Sequence, residues 1–125
     1  MRMQPEDISI LSEWWERLGT PLNERYLPPL GFVNWGNDDL LCGCFVYVFD
    51  VGDGKAGLVS HTITNPDRPL RALSSVDQML KEIREWGSRN GLIHLMGFTK
   101  SRLLAKTYTN NGFQLAEENT NLFIL

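Results

Sequence analysis

An alternating segment, Ala56-Gly57-Leu58-Val59-Ser60-His61-Thr62-Ile63-Thr64, runs into Asn65-Pro66-Asp67-Arg68-Pro69-Leu70, and a long amphipathic pattern follows. Two prolines within that turn remove backbone N–H donors and restrict the residues before them, so no strand continues through it. Beyond it Leu73, Val76, Leu80 and Ile83, with Met79 and Trp86 beside them, recur at the spacing of an amphipathic helix. The chain therefore passes from strand to helix here. Ser75 and Gln78 have capping-box spacing and mark the expected start of that helix. A strand feeding a helix through a tight turn gathers free N–H groups and the positive end of a helix dipole at one point, which favours phosphate.

The remaining elements are arranged around this unit. Glu6-Asp7 opens a helix in which Ile8, Leu11, Trp14 or Trp15, and Leu18 share a face, with Gly19 as its stop. Adjacent tryptophans cannot face the same way. One enters the core and the other covers a groove or packs on the next segment, as core or as the wall of a substrate site. Pro21, Pro28 and Pro29 make Thr20 to Leu30 an extended connector, with a short helical turn at Asn23 to Tyr26 and a position suited to lining a pocket.

Gly31 to Trp35 reads as a strand, Gly36 to Asp39 as a turn, Leu40 to Val51 as a long strand buried on both faces, and Gly52-Asp53-Gly54 as a hairpin turn. Three antiparallel strands thus precede the central helix. Arg89-Asn90-Gly91 ends that helix, Leu92 to Thr99 is a further apolar strand, and Ser101 caps a helix carrying Leu104, Ala105 and Tyr108 that stops at Asn110-Asn111-Gly112. Phe113 to Ala116 and Thr120 to Leu125 read as closing strands joined at Glu117-Glu118-Asn119. An exposed edge at Thr120 to Leu125 is where a homodimer would pair.

A chain of 125 residues suits one domain, residues 1–125, of α/β (α+β) class: a mixed, mainly antiparallel sheet flanked by helices. Its net charge of −3 provides no broad phosphate-neutralising face, which excludes nucleic acid as the main partner. No apolar run approaches the roughly 18 residues of a membrane span, and no apolar signal region follows the start, so the expected location is the cytoplasm. Cys42 and Cys44 lie on one strand face, too close in sequence for an easy disulfide, and read as buried thiols; two cysteines and two histidines make a poor metal site.

The order of elements resembles the GNAT superfamily of acyl-CoA-dependent N-acetyltransferases. Leu104, Tyr108, Gly112 and Phe113 match that family's late pattern of an apolar or small residue, a tyrosine and Gly-Phe, with Ser101 where asparagine is usual. Trp14 or Trp15, Pro21, Leu27-Pro28, Gly31-Phe32 and Asn65-Pro66 resemble small GNAT-like proteins of phage and prophage genomes. The resemblance implies acetyl-CoA as cosubstrate, its pyrophosphate over the strand-to-helix turn and its pantetheine between Lys55–Thr64 and Leu92–Thr99. It also implies an amine acceptor under the Thr20 to Leu30 connector. On this resemblance the cofactor contacts fall at Ile63, Arg68, Arg71, Ala72, Ser74, Ser75 and Ser101. The pyrophosphate loop departs from the family: Pro69 stands at the Arg/Gln place, and Ala72 and Ser74 at glycine places. Arg68 and Arg71 are candidates to clamp phosphate instead, or are two solvated arginines at a helix start.

Amine acetylation needs a neutral amine and a proton donor for the departing thiolate. Tyr108 keeps its proton at pH 7 and suits the donor role, or else packs with its hydroxyl on a backbone carbonyl. His61 is the candidate base; strict alternation puts it on one face with Val59 and Ile63, which is also how a core histidine looks. His94 is an alternative base, and Ser60 either contacts substrate or faces the second layer. Fold alone does not fix activity, so a non-catalytic GNAT-fold module that binds a protein is the opposing expectation.

Overall fold

A computed structural model describes residues 1–115. Helix α1 (Pro5–Arg17) starts with Pro5 at its first position, and the Asp7 carboxylate accepts from the Gln4 N–H at 2.8 Å. Gly19, at φ +76, supplies the left-handed residue that ends it. The connector holds a 3-10 turn, Glu24–Tyr26, whose start is capped by Asn23.

Four strands follow in sheet order β1 (Gly31–Gly36), β2 (Asp39–Val51), β3 (Gly54–Thr64) and β4 (Leu92–Gly97). The first three are antiparallel and β4 is parallel to β3, as the intervening helix α2 (Pro69–Arg89) requires. Helix α3 (Arg102–Asn110) then begins at Ser101, whose hydroxyl accepts from the Leu104 N–H at 3.3 Å.

The sheet separates two cores. On one face Phe32, Cys42, Cys44, Val46 and Val59 pack against Val76, Met79, Leu80 and Ile83 of α2 and Tyr108 of α3. On the other, Val33, Leu40 and Ile63 pack against Leu11 and Trp14 of α1. Leu11 sits so close to Gly43 that a Cβ there would lie 2.8 Å from it, so the glycine lets α1 approach the sheet. The paired tryptophans divide as their adjacency demands: Trp14 is buried among these residues and Trp15 packs at the edge of the same cluster. Cys42 and Cys44 are free, buried thiols, and burial pushes the Cys42 thiol up to about 11.

Several expected boundaries move, each for a local reason. Helix α2 begins at Pro69, not at Ser75: proline needs no N–H at a first helical position, so the second proline starts the helix instead of preceding it. Ser75 is buried one turn further in, where its hydroxyl donates to the Ala72 carbonyl at 2.6 Å and lies 3.1 Å from the Cys42 sulfur. Strand β2 is buried from Leu40 to Val46 but exposed at Val48 to Asp50, because β1 pairs with it no further than Phe45. Strand β4 ends at Gly97, not Thr99, and several of its side chains are exposed. Residues Phe113 to Leu115 form no strand; the rest of the expected closing pair, with its suggested dimer edge, lies outside the described residues.

Candidate functional site

The β3-to-α2 turn is tied down by polar contacts. Asn65 is buried; its amide donates to the Leu40 carbonyl at 2.8 Å, its side-chain oxygen accepts from the Asp67 N–H at 2.8 Å, and its own N–H reaches the Leu41 carbonyl. Arg17, at the end of α1, holds the Asp67 carboxylate with two hydrogen bonds and keeps its pKa below the usual range. Arg68 donates through Nε to Asp39 at 3.2 Å. These contacts orient the start of α2, where the Ala72 N–H is the first to bond back, to the Arg68 carbonyl. Among the described residues the N–H groups of Leu70 and Arg71 have no backbone acceptor and are open helix donors.

Strand β3 carries the second feature. Its register with β2 shifts between Gly43 and Phe45, so that His61 and Thr62 together oppose Cys44, and His61 adopts φ +55. This bulge overturns strict alternation: Val59 faces α2, whereas His61 and Ile63 face α1. Histidine is among the few residue types enriched at positive φ. Pairing between β3 and β4 stops at the same place: Val59 opposite Gly97 is their last rung, with the Phe98 N–H on the Val59 carbonyl. Beyond it the two strands part.

Two titratable groups meet this parting from opposite faces. On the α2 side the Tyr108 ring lies against Gly97, where a Cβ would be 2.7 Å from it, and its hydroxyl is 3.1 Å from Thr62 Oγ1. Tyr108 therefore bridges the parted strands, and burial pushes its pKa up to about 12. On the α1 side His61 is half-buried among Trp15, Phe45 and Tyr47, with ring centroids 6.1, 6.4 and 6.5 Å away. Burial lowers its pKa, so the imidazole is neutral at pH 7, and Ser60 Oγ lies 3.0 Å from Nδ1. The Trp15 indole N–H is buried and has no hydrogen-bond partner among the described residues. Tyr47 donates to the Tyr26 carbonyl at 2.8 Å and so moors the connector beside this aromatic group.

The other predicted residues divide. Arg68 and the α2 start lie together, and Ser101 caps α3. Ala72 and Ser75 have side chains in the core, and Ile63 packs on the α1 side, so Ala72 and Ile63 have only backbone to offer a ligand. Arg71 and Ser74 line, with Asn34 and Gln78, a groove of about 470 Å³ between β1 and α2. Asp77 accepts from the Asn111 side-chain amide and Arg84 donates to the Asn111 carbonyl, which ties the end of α3 to α2. His94 is exposed on β4, beside a separate shallow pocket. Thr62, Phe45 and Tyr47 escaped the sequence reading, because only the bulge brings them to His61 and Tyr108.

The layout has solved counterparts. A Thermus thermophilus protein, solved as a point variant, superposes with a TM-score of 0.75 over 98% of this chain and 94% of its own, at 11% identity. The aminoglycoside N-acetyltransferase AAC(6')-Iy, in complex with CoA, gives 0.69 over 100% and 98%, at 14% identity. An aminoglycoside acetyltransferase from an uncultured soil sample gives 0.69 over 100% and 97%, at 9% identity. The fold is the GNAT fold. No family profile and no curated protein matches the chain. No described helix is long and apolar enough to cross a membrane.

Proposed function

We propose that this chain is an N-acyltransferase using acetyl-CoA as donor and an amine as acceptor. The observation that carries this reading is the β3 bulge, which sets the Tyr108 hydroxyl on one side of the parted strands and the His61 imidazole on the other. Donor and acceptor would then enter from opposite faces of the sheet. The open N–H groups of Leu70 and Arg71, the α2 dipole and the remaining N–H groups of Arg68 suit a diphosphate, although Pro69 contributes no donor. Ser101 stands at the start of α3 with its hydroxyl proton available. Acetyl-CoA bound there supplies an acyl group activated as a thioester.

The protein groups have distinct tasks. If Ser60 Oγ accepts from His61 Nδ1–H, the lone pair at Nε2 is left to receive the amine proton. Tyr108, at about 12, is a poor acid toward a thiolate whose thiol pKa is about 8.5. Full transfer would be uphill by about 5 kcal/mol, so the hydroxyl stabilises developing charge as a hydrogen-bond donor and keeps its proton. His61, with its pKa below 6.5, is equally mismatched to a strongly basic amine. At pH 7.5 about 0.1% of a lysine-type amine is neutral, against about a third of an α-amino group. The acceptor is accordingly a weakly basic amine such as a peptide or amino-acid α-amino group, bounded by Trp15, Phe45 and Tyr47.

A second reading rests on Arg68, which is already paired with Asp39, and on Arg71, which turns toward β1: a GNAT-fold module that binds protein without catalysis. Calorimetric titration with acetyl-CoA, and with pantetheine lacking phosphate, separates the two. Micromolar binding of acetyl-CoA alone, followed by thiol release when an α-amino peptide is added, is the expected result. No heat at millimolar acetyl-CoA would remove the transferase reading.

A further inference from the structure

The Tyr108 side chain keeps little freedom beyond rotation of its hydroxyl hydrogen. Its ring lies on Gly97, where a Cβ would sit 2.7 Å from a ring carbon, and packs edge-on against Phe113 with centroids 5.1 Å apart. The Phe113 N–H also bonds to the Tyr108 carbonyl at 3.1 Å, which restrains the backbone on the same side. Gly97 stands at the last rung of β4, so a side chain there would push the ring off the end of that strand and away from β3. Thr62 receives the far end of the ring. It is buried and β-branched, which restricts χ1 and fixes Oγ1 at 3.1 Å from the phenol oxygen.

That contact leaves one proton over. Among the described residues neither hydroxyl has another hydrogen-bond partner. Two hydroxyls carry two protons and share one bond, so one O–H is free to serve something else. Without charge in the gap between β3 and β4, either oxygen can donate. Negative charge there makes the two arrangements unequal. The phenol, the more acidic of the pair, gains more by turning its proton to an anion, and the threonine hydroxyl then rotates about a single bond to donate to the phenol oxygen. No heavy atom has to move. The titratable groups in the core with Tyr108, the Cys42 and Cys44 thiols, are held protonated by burial and bring no competing charge.

The geometry assigns Thr62 as a positioning residue: its hydroxyl donates to Tyr108 Oη as charge develops between the parted strands, and so turns the phenol proton out toward that charge. Taking the charge to be the departing thiolate rests on the transferase reading; the hydrogen bond itself does not. Tyr108 keeps its proton throughout, and Thr62 acts only through Tyr108.

The test has a spectroscopic arm and a kinetic arm, both on the whole chain. An ortho-fluorinated tyrosine at position 108 lets the phenol titrate at lower pH, where fluorine NMR follows it in the folded protein. Thr62→Val removes the hydroxyl and keeps the branching, so the phenolate loses a charge-assisted bond and its pKa should rise by about one unit, whereas Thr62→Ser should keep the parent value. In turnover with acetyl-CoA and an α-amino peptide, Thr62→Val should lower kcat roughly ten-fold at unchanged KM for acetyl-CoA, and Thr62→Ser should restore it. The same substitution should change nothing in a Tyr108→Phe background, where the group it acts through is gone. Thr62→Ala replaces Thr62→Val in both arms if the valine variant does not fold. A phenol pKa that stays or falls on loss of the threonine hydroxyl overturns the proposal. So does an unchanged kcat in an active protein, or a further loss in the Tyr108→Phe background. A wild type that does not turn over acetyl-CoA removes the transferase reading instead, and the titration alone then decides for or against Thr62 as the donor.

Discussion

His61 holds a left-handed backbone that costs most L-residues roughly 1–2 kcal/mol, and its replacements should separate backbone from chemistry. His61→Asn keeps a residue tolerant of positive φ and should fold normally while losing activity. His61→Val, β-branched, should lower stability by about 2 kcal/mol in a urea melt, before any chemistry is measured. Its ionisation has a definite sign. The folded pKa lies below the unfolded value of 6.5, so stability linked to the neutral imidazole is fully present above pH 6.5 and is lost as pH falls through the folded value. The rate at saturating donor should lose activity over that same acid window, and the loss should vanish from the residual activity of His61→Asn. For Tyr108→Phe we expect kcat down by roughly ten- to a hundred-fold, with stability changed by about 1 kcal/mol, since Thr62 alone loses its partner. An unchanged kcat would reduce Tyr108 to packing.

At the scale of elements, the β3-to-α2 turn divides buried from exposed contacts. Asn65→Ala strands the Leu40 carbonyl and the Asp67 N–H and should cost about 2 kcal/mol in a denaturant melt. Asp67→Asn breaks only an exposed ion pair and should leave the thermal midpoint unchanged. The elements themselves were largely legible: the helical spacing of Leu73 to Ile83, the prolines of the turn, the glycine stops and the Ser101 cap each report local chemistry that the fold retains. The first residue of α2 was not, because Pro69 both breaks a strand and begins a helix, and Ser75 offers capping chemistry in a place where it is buried instead. Nor was the face of His61. A bulge depends on how one strand meets its neighbour, and no residue on β3 announces it. Arg68 and Arg71, three residues apart, both reach the turn end of β1 and β2, Arg68 to Asp39 and Arg71 to Gly36, which pairs with Asp39.

For the molecule as a whole, one sheet serves two cores, and β3 contributes to both. Its inserted residue acts as a phase shift: Val59 before it and Thr62 after it address the α2 side, while Ser60 before it and Ile63 after it lie on the α1 side. Removing the inserted residue at this point would restore a regular ladder and leave Val59, Ser60, Thr62 and Ile63 on the sides they already hold. The extra residue is therefore not what keeps the two cores in register; what it adds is the place of His61 itself. A β3 shortened by His61 should therefore forfeit the chemistry while keeping the fold, and the route to a different acceptor runs through the rings around His61.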